Sequence, residues 1–575
     1  MGGFFLLHKR DPVALDTASR TMDGHFRAAG FPPATVREGV GYRLFHYPKI
    51  LGGPTQHAVG PDGRFLACVG SLLYAGETGT AALQRLLACP DPAAELPRCQ
   101  GQFALLAGDT RSVRILRDRS AALEVFHDEV RGAFSTSFLA LARALPQRLA
   151  RRQEAYEYVF HGTTLGDDTV LEGIRRLGLG AEAMVAEEVR IARTSRRLLP
   201  PEAAGTAEEL AHDGVEQLTT NLLGWCGAFG GRITLALSGG YDTRLLLALC
   251  RRIGVQPRLF VYGPESSADV RIAKAIARTE GMEIDHFDKG TWCAEALEEP
   301  AARLARTYHE VDGLMYYGIL DSGAEALARR RRHEGGALNL HGGAGEVFRN
   351  FFGLPERPVT AVSLARVFYR VDSTICTAGF SEAEYAARIA GKIGEAWDEG
   401  ARPASRRAAE ATYPYFRCRA WFGKDLSVNA AFGHGVLPFY DPAIVDFALS
   451  LPLRHKEFGN FEARMIRLAD PAIAVHRSAY GFDFTRDTPF PNAFRSWVLQ
   501  RRPSWLRQRG SRGRLSRGTP GPAPWQNGAG ADPLRHGLDL VRRILRPDVV
   551  NDPTAQARIH NLAYLLGDLG VEGWR

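Results

Sequence analysis

The sequence predicts an α/β protein with a β-rich N-terminal part, a parallel sheet in the middle and a helical C-terminal part. Residues 1–145 contain short apolar runs separated by Gly, Pro and Asp, a pattern typical of strands and turns. From about residue 205, strand-like runs alternate with helical ones, an order that indicates a parallel sheet joined by crossover helices. Helical patterns then dominate to about residue 490.

Length and composition exclude several classes of protein. A chain of 575 residues is expected to form roughly two to four domains, and 45% hydrophobic with 24% charged residues is ordinary for a globular protein. No run of eighteen apolar residues occurs, so we predict no membrane span. The apolar run at residues 4–7 is too short for a secretory signal, and the eight cysteines form no CxxC pair. These features predict a cytoplasmic protein with reduced thiols.

The net charge of +8 is local. Residues 491–520 carry eight Arg and no acidic residue, so the rest of the chain is balanced. A basic stretch rich in Pro and Gly is more often a solvated linker than a nucleic-acid site. We therefore predict no nucleic-acid binding, a linker over residues 491–532 and a C-terminal helical segment over residues 533–575.

Four strands of the parallel sheet are predicted from apolar runs bounded by turns. A helix is expected after the second strand, with Ser266 and Asp269 forming a capping box at its start. Because ligands bind outside the carboxyl ends of parallel strands, the loop after the first strand is the first place to look for a site. The predicted strands are residues 233–237, 259–262, 284–287 and 337–340.

The loop after the first strand, residues 238–243, has the sequence Ser-Gly-Gly-Tyr-Asp-Thr. Gly239 and Gly240 allow a tight turn that exposes successive N–H groups at a helix N-terminus, which is an anion-binding arrangement. The hydroxyls of Ser238 and Thr243 can donate to the same phosphates. This is not a Walker loop, because the spacing differs and the Lys is missing.

Asp242 is the unusual member of this loop. A carboxylate beside phosphates repels them unless a divalent cation intervenes, so its presence predicts Mg²⁺. The alternative is an ordinary strand-to-helix turn in which Asp242 only complements the helix dipole.

This loop has the pyrophosphate-loop pattern of the ATP-pyrophosphatase enzymes. More narrowly, residues 1–490 resemble the asparagine synthetase family, which includes β-lactam synthetases and lasso-peptide cyclases. Residues 101–104, 117–119 and 134–137 are similar to core strands of the family's N-terminal class II glutaminase domain. Residues 438–452 resemble a helix found throughout the family, and here Asp441 is expected to cap it, Pro442 to start it and Pro452 to stop it.

The resemblance implies two domains. Residues 1–195 would form a glutaminase-like domain with αββα layers, and residues 205–490 an asparagine-synthetase-like ATP-pyrophosphatase domain with a helical C-terminal part. The family's glutaminase uses an N-terminal Cys as nucleophile, and position 2 is Gly here. Without a thiolate no acyl-enzyme forms, so we expect this domain to be inactive and glutamine not to be hydrolysed.

The metal-binding segment of the family is also altered. In His-Gly-Gly-Ala-Gly-Glu at residues 341–346, Gly345 replaces an Asp of the family, while Glu346 is kept. The resemblance therefore implies Mg²⁺ on Asp242 and Glu346. Alternatively, Glu346 is simply an acid in the first turn of a helix.

Two further departures concern cations. Arg244 replaces the second hydroxyl residue of the family's loop. It either acts in catalysis, by stabilising the leaving pyrophosphate or binding a substrate carboxylate, or pairs with an acid such as Asp242. Ser478 and Ala479 replace lysines, which counts against β-lactam closure; Arg477 and Lys456 are left as cationic partners or as surface residues.

The resemblance implies an ATP-dependent amide-forming ligase. ATP would bind over residues 238–243 with its adenine near Val261 and Tyr262, and Asp242, Arg244 and Glu346 would be the catalytic residues. A small-molecule or peptide carboxylate would be adenylated and captured by an amine donor, as in natural-product or surface-polysaccharide biosynthesis. The alternatives are an ammonia-dependent asparagine synthetase, a lasso-type cyclase whose basic segment holds a precursor peptide, and a non-catalytic nucleotide- or partner-binding relative. A homodimer is possible on these grounds.

Overall fold

A computed structural model confirms the predicted α/β fold class, with antiparallel sheets first, a parallel sheet later and a largely helical C-terminal part. It describes residues 2–10, 12–193, 199–288, 300–321, 323–397, 404–502, 506–507, 510, 512–517 and 531–575. In this part of the chain, no helix has the length and apolar content needed to cross a membrane. Cys293 lies outside these ranges, and the other seven cysteines are free thiols.

The N-terminal region consists of two antiparallel sheets of six strands each. The first sheet has the spatial order Arg175–Arg176, Phe126–Asp128, Ala133–Ser135, Gly3–His8, Tyr42–Tyr47 and Thr35–Glu38. The second has the order Val189–Arg193, Ala181–Val185, Val113–Arg117, Phe103–Gly108, Phe65–Gly70 and His57–Val59. A short hairpin pairs Leu73–Tyr74 with Glu77–Thr78.

The alternation of side chains along the strands explains why these sheets are layered. Phe4 and Leu6 are buried in the cluster between the two sheets, whereas Phe5 and Leu7 belong to the core on the other face. Because both faces are apolar, both must be covered. The helices Pro12–Ala28 and Phe138–Ala144 cover the first sheet, and Gly79–Leu87 covers the second, which gives the predicted αββα layers.

The second region is built on a five-stranded parallel sheet. In chain order its strands are Ile233–Ala236, Arg258–Tyr262, Ile284–Phe287, Leu338–Leu340 and His434–Val436. The first four match the predicted strands, and the fifth was missed. In space the order is third, second, first, fourth, fifth, so the winding reverses between the first and fourth strands. Ligands of such sheets bind at this reversal.

Helices surround this sheet and continue to the C-terminus. The helix Pro442–Ser450 confirms the predicted capping, because the Asp441 carboxylate accepts from the N–H of Ala443 at 3.1 Å. The remaining helices are Arg152–His161, Ala207–Ala228, Asp242–Arg252, Ala268–Thr279, Pro300–Glu310, Ala324–Arg332, Ala361–Phe368, Glu382–Ala396, Arg406–Glu410, Arg419–Phe432, Asn460–Ala469, Pro471–Ala474, Phe490–Gln500, Ala531–Arg542 and Pro553–Asp568, with a π-helical turn at Tyr413–Cys418.

The predicted capping box of the helix Ala268–Thr279 is wrong. Its cap is Ser267, whose hydroxyl accepts from the N–H of Val270 at 3.1 Å. Ser266 is one residue too early. The carboxylate of Asp269 accepts instead from the N–H of Gly239, 2.8 Å away and thirty residues earlier in the chain. A tertiary partner has therefore taken the acid that the local pattern assigned to the cap.

The C-terminal segment packs back onto the N-terminal region. The helices Ala531–Arg542 and Pro553–Asp568 form an antiparallel pair, and the strand Gly573–Trp574 pairs with Leu149–Ala150. The Tyr158 hydroxyl donates to the amide oxygen of Asn561 at 2.8 Å. The last forty residues are therefore part of the folded body.

Close helix contact in this C-terminal pair gives a stability prediction. A Cβ on Gly537 would overlap the backbone carbonyl of Ala563, whereas a Cβ on Gly227, also in a helix, would meet nothing within 4 Å. We expect Gly537→Ala to destabilise the protein by about 1–3 kcal/mol through overpacking. Gly227→Ala should be neutral or stabilising, because Ala favours the helix. Thermal unfolding of the two variants tests this, and equal midpoints would contradict it.

Candidate functional site

The predicted loop, residues 238–243, and the segment of residues 341–346 meet at the strand reversal. Residues 238–243 follow the first strand and lead into the helix Asp242–Arg252, while residues 341–346 follow the fourth strand. A Cβ on Gly342 would lie 2.8 Å from Cγ2 of Thr243, so the two segments are in direct backbone contact. The fold thus brings together two segments that the sequence separates by about a hundred residues.

The hydrogen bonds of the loop already involve an anion. The N–H of Ser238 donates to Oγ1 of Thr243 at 3.0 Å, and the N–H of Gly240 reaches Oγ of Ser238 at 3.3 Å. The N–H of Gly239 donates to the carboxylate of Asp269 at 2.8 Å. The loop therefore presents an amide to an oxyanion, as an anion-binding turn does. A bound phosphate would share or displace the Asp269 contact.

Beside the loop, three carboxylates surround one guanidinium; we call Asp242, Glu346, Glu462 and Arg349 the acid cluster. One terminal nitrogen of Arg349 lies 2.7 Å from Oδ1 of Asp242 and 3.6 Å from Oε1 of Glu346. Its Nε lies 3.3 Å from Oε2 of Glu462. With all four groups ionised, the cluster would carry two net negative charges, so it attracts a further cation or retains protons.

The electrostatics of the cluster follow from burial and crowding. Burial raises the pKa of Asp242 while Arg349 lowers it and Glu346 raises it. The Glu462 side chain is fully buried, and burial with the neighbouring Asp242 raises its pKa well above the usual range. Burial opposes the charge of Arg349, but Asp242 and Glu462 outweigh it and raise the Arg349 pKa. The guanidinium is the fixed charge of the cluster, and burial raises the pKa of the Asp242 and Glu462 carboxyl groups beside it.

The residues present fit one Mg²⁺ shared with a substrate. Within the described ranges, no three His, Cys, Asp or Glu side chains are placed to hold a metal alone. Mg²⁺ usually takes only one or two carboxylates together with phosphates and water. Asp242 and Glu346 supply such oxygens and both lie near the cationic Arg349 nitrogen, while 22% and 32% of their side-chain surfaces stay exposed.

The packing of Asp242 against residues 341–346 requires a glycine at position 345. A Cβ at position 345 would lie 2.6 Å from the carboxyl carbon of Asp242. Gly345 therefore allows the close approach of Asp242 to the segment that carries Glu346.

Tyr413 fixes Glu346 from the other side. Its hydroxyl donates to Oε2 of Glu346 at 2.5 Å. Tyr413 begins the π-helical turn Tyr413–Cys418, and its ring lies 4.1 Å from that of Phe351. Neither Tyr413 nor Arg349 was found from the sequence, because no local pattern links them to the loop.

The partners of Arg244 in the structure do not include Asp242, the acid with which it was predicted to pair. Its side chain is fully buried, and its guanidinium donates to the backbone oxygens of His476 at 2.6 Å and Arg477 at 3.0 Å. It also stacks over Phe484 at 4.7 Å. Burial lowers its pKa to about 10, so it stays charged at neutral pH. The structure makes Arg244 the anchor of residues 476–477, and the partner of Asp242 is Arg349.

The segment that Arg244 anchors lies on the loop. The N–H of Ala479 donates to the carbonyl oxygen of Gly239 at 3.0 Å, and the rings of Tyr480 and Tyr241 are 4.9 Å apart. Arg477 is exposed, as expected of a surface residue. A surface position for Lys456 is wrong, because the side chain is buried and burial lowers its pKa to about 8.

Val261 and Tyr262 lie at the end of the second strand. Val261 is buried in the core of the sheet. The ring of Tyr262 is packed by Phe260 and Phe287 at 5.4 Å each and by the guanidinium of Arg332 at 5.5 Å. The end of this strand is bonded to the start of the loop, since the N–H of Leu237 donates to the oxygen of Phe260 at 2.8 Å. Contact of these two residues with adenine stays a prediction.

Position 2, where the sequence has glycine, is closely packed. Gly2 is buried, and its N–H donates to the oxygen of Tyr47 at 3.0 Å. A Cβ there would lie 2.8 Å from Cε1 of Phe31. The surrounding residues have closed around a glycine.

Comparison with known proteins adds little. No family model and no curated protein matches the chain. One matching solved structure is glutamine phosphoribosylpyrophosphate amidotransferase from B. subtilis complexed with ADP and GMP, at 10% identity and a TM-score of 0.23, covering 63% of this chain and 77% of that one. Another, the allosteric regulatory enzyme of purine biosynthesis, has 10% identity and the same TM-score, covering 59% and 74%. Similarity this distant says nothing about what this chain binds.

The raised pKa of Glu462 predicts a pH dependence of stability. A carboxyl whose pKa is raised in the folded state stabilises the fold fully below its usual value of 4.5, and that stability is lost as pH rises through the raised pKa. Glu462→Gln fixes the neutral form, so its stability relative to the native protein should increase with pH, by about 1 kcal/mol or more between pH 5 and pH 9.

Urea unfolding at the two pH values measures this difference. The matched control is Glu208→Gln, because Glu208 is exposed on a helix of the same region. A difference between Glu462→Gln and the native protein that stays constant with pH would show that Glu462 is ionised throughout.

Proposed function

We propose that this protein is an ATP-dependent ligase that adenylates a carboxylate and transfers the acyl group to a nitrogen nucleophile without hydrolysing glutamine. The observation that carries the proposal is the meeting of the anion-binding loop with Asp242 and Glu346 at the strand reversal of a parallel sheet. Phosphate-binding amides and hard oxygen ligands for a divalent cation then lie in one place.

The reaction needs little acid–base chemistry in its first step. The substrate carboxylate attacks the α-phosphorus of ATP, an O–P bond forms, and pyrophosphate leaves with the electrons of the broken bond. The amine then attacks the acyl carbon, AMP leaves, and the amine loses a proton. In the first step the protein must bring two anions together and neutralise the pyrophosphate charge.

The charges in the acid cluster suit that task. Asp242 and Glu346 would hold Mg²⁺, which supplies charge neutralisation for the phosphates when it is bound. When Mg²⁺ is absent, Arg349 holds these two carboxylates close together. Its terminal nitrogen lies 2.7 Å from Asp242 and 3.6 Å from Glu346. The N–H groups of Gly239 and Gly240 orient the phosphates, and Arg244 acts as a positioning residue by anchoring the segment that lies on the loop.

The source of nitrogen is an amine or ammonia taken up from solution. The closed packing around Gly2 supports this, because a side-chain nucleophile has no space there. The acid is a small molecule or a peptide, and both natural-product assembly and peptide cyclisation fit the proposal. Asparagine formation from aspartate and ammonia would make the protein an ammonia-dependent asparagine synthetase.

One observation favours a second candidate, a protein that binds nucleotide without adenylation. The carboxylate of Asp242 is already paired with Arg349, and the N–H of Gly239 with Asp269. If these contacts persist when nucleotide binds, Mg²⁺ has no free carboxylate at Asp242. The two candidates differ in whether pyrophosphate is formed.

The chain is therefore expected to catalyse acid-dependent exchange of radioactive pyrophosphate into ATP in the presence of Mg²⁺. Asp242→Ala should lower the exchange rate at least about a hundredfold, since it removes a group that acts on developing charge in the transition state. Asp213→Ala, at an exposed acid on a neighbouring helix, should leave the rate unchanged. The acids to be tried include aspartate, acidic peptides and amino-sugar acids.

Binding measurements separate the two candidates. ATP bound with Mg²⁺ but no exchange with any acid would support the non-catalytic reading. Unchanged pyrophosphate exchange in the Asp242→Ala variant would show that the acid cluster takes no part in the reaction.

A further inference from the structure

A second candidate site is lined in part by the π-helical turn Tyr413–Cys418. It is a cavity of about 370 Å³ whose walls include Arg370, Arg417, Arg514, Arg558, Phe368 and Trp421; we call it the arginine pocket. This volume is in the range of small-molecule sites. The walls come from five separate parts of the chain, including the basic stretch that the sequence predicts to be a linker.

The arginine pocket is positively charged. Besides its four guanidinium groups it contains two carboxylates, Asp372 and Asp552, and both are engaged in backbone hydrogen bonds. This leaves a net charge of two positive. His161, also in the wall, adds nothing, because burial and its neighbours Arg417 and Arg558 lower its pKa to about 3. The pocket is therefore built to receive negative charge.

Arg417 is the arginine of the pocket that gives the clearest evidence for anion binding. Its guanidinium lies over the ring of Trp421 at 4.8 Å and the ring of Phe368 at 5.0 Å. Among the residues that the structure describes, it has no carboxylate within ion-pair distance, and the same holds for Arg514. A guanidinium held by stacking keeps its N–H edge free for a planar anion.

The basic stretch is fixed on the pocket. The Asp372 carboxylate accepts from the N–H of Gly513 and of Leu515, both at 2.8 Å, and so holds Arg514 between them at the rim. Asn551 binds the carbonyl oxygen of Ser516 at 2.7 Å from the other side. Arg514 and Leu515 thus line the pocket, and side chains of two other segments hold the backbone around them.

The pocket and the acid cluster share one aromatic partition. Tyr413, which donates to Glu346, begins the turn on which Arg417 lies. Its ring contacts Phe351 at 4.1 Å, and Phe351 contacts Phe368, the ring beneath Arg417, at 5.1 Å. These rings therefore separate the arginine pocket from the acid cluster.

We infer that the arginine pocket binds the anionic group, a carboxylate or a phosphate, of a small molecule. The inference does not depend on the proposed function, because it follows from the volume and charge of the pocket and from the stacked guanidinium of Arg417.

Calorimetric titration of the full chain with inorganic phosphate and with succinate, at constant ionic strength, tests the pocket. We expect saturable binding of at least one probe, and the stronger one identifies the preferred group. Arg417→Gln and Arg514→Gln should each weaken it about tenfold or more, since each removes a charge-assisted hydrogen-bond donor. Arg514 is exposed, so its substitution does not threaten folding. Arg417→Lys, which keeps the charge but loses the flat stacking edge, should bind with intermediate affinity.

Two controls separate this site from the nucleotide loop. Arg517→Gln changes an exposed residue of the same basic segment outside the pocket wall, and Asp242→Ala changes the acid cluster. Neither should weaken anion binding. Binding retained at full strength in both Arg417→Gln and Arg514→Gln would place the anion outside the pocket and overturn the inference, as would no saturable binding of either probe. Anion binding in the pocket without pyrophosphate exchange would instead refute only the proposed function.

Discussion

The guanidinium of Arg349 is the charge on which the candidate site depends. Asp242 belongs to a strand-to-helix loop, Glu346 to the segment after another strand, and Glu462 to the helix Asn460–Ala469. These carboxylates repel one another, and burial increases the repulsion. Breaking a buried ion pair by removing one partner typically costs about 3–5 kcal/mol, and here one cation serves three acids. Without Arg349, repulsion between the carboxylates would push apart the two loops at the strand reversal.

The other contacts around the loop have the same effect of holding segments together. Arg244 joins the helix after the loop to residues 476–477, Ala479 binds Gly239, and Tyr413 binds Glu346. None of these side chains needs to touch a substrate to matter. They hold the backbone amides of the loop and the carboxylate oxygens of the acid cluster in fixed positions.

The sequence predicts the parts of the site that local rules determine. Glycines in a strand-to-helix loop, alternating apolar runs and an Asp-Pro helix start each have a local cause, and these predictions are confirmed. The fifth strand, His434–Val436, is only three residues long and contains Gly435, so its pairing comes from the sheet and not from its own pattern. Arg349 and Tyr413 could not be found, because their roles depend on partners up to 113 residues away. Asp269 was assigned to a helix cap because its actual partner, the N–H of Gly239, is also distant in the sequence.

The basic stretch keeps most of its arginines exposed, while side chains of other segments bind part of its backbone. Read alone, eight Arg in thirty residues suggest a solvated segment. In the fold, Asp372 and Asn551 bind its backbone, and Arg514 is left pointing at a cavity with three other arginines. A surplus of negative charge around Arg349 and a surplus of positive charge around Arg417 then lie on opposite sides of Tyr413, Phe351 and Phe368. Aromatic rings exclude water and screen charges little, so the opposite charges on the two sides act on each other across the rings more strongly than they would through water.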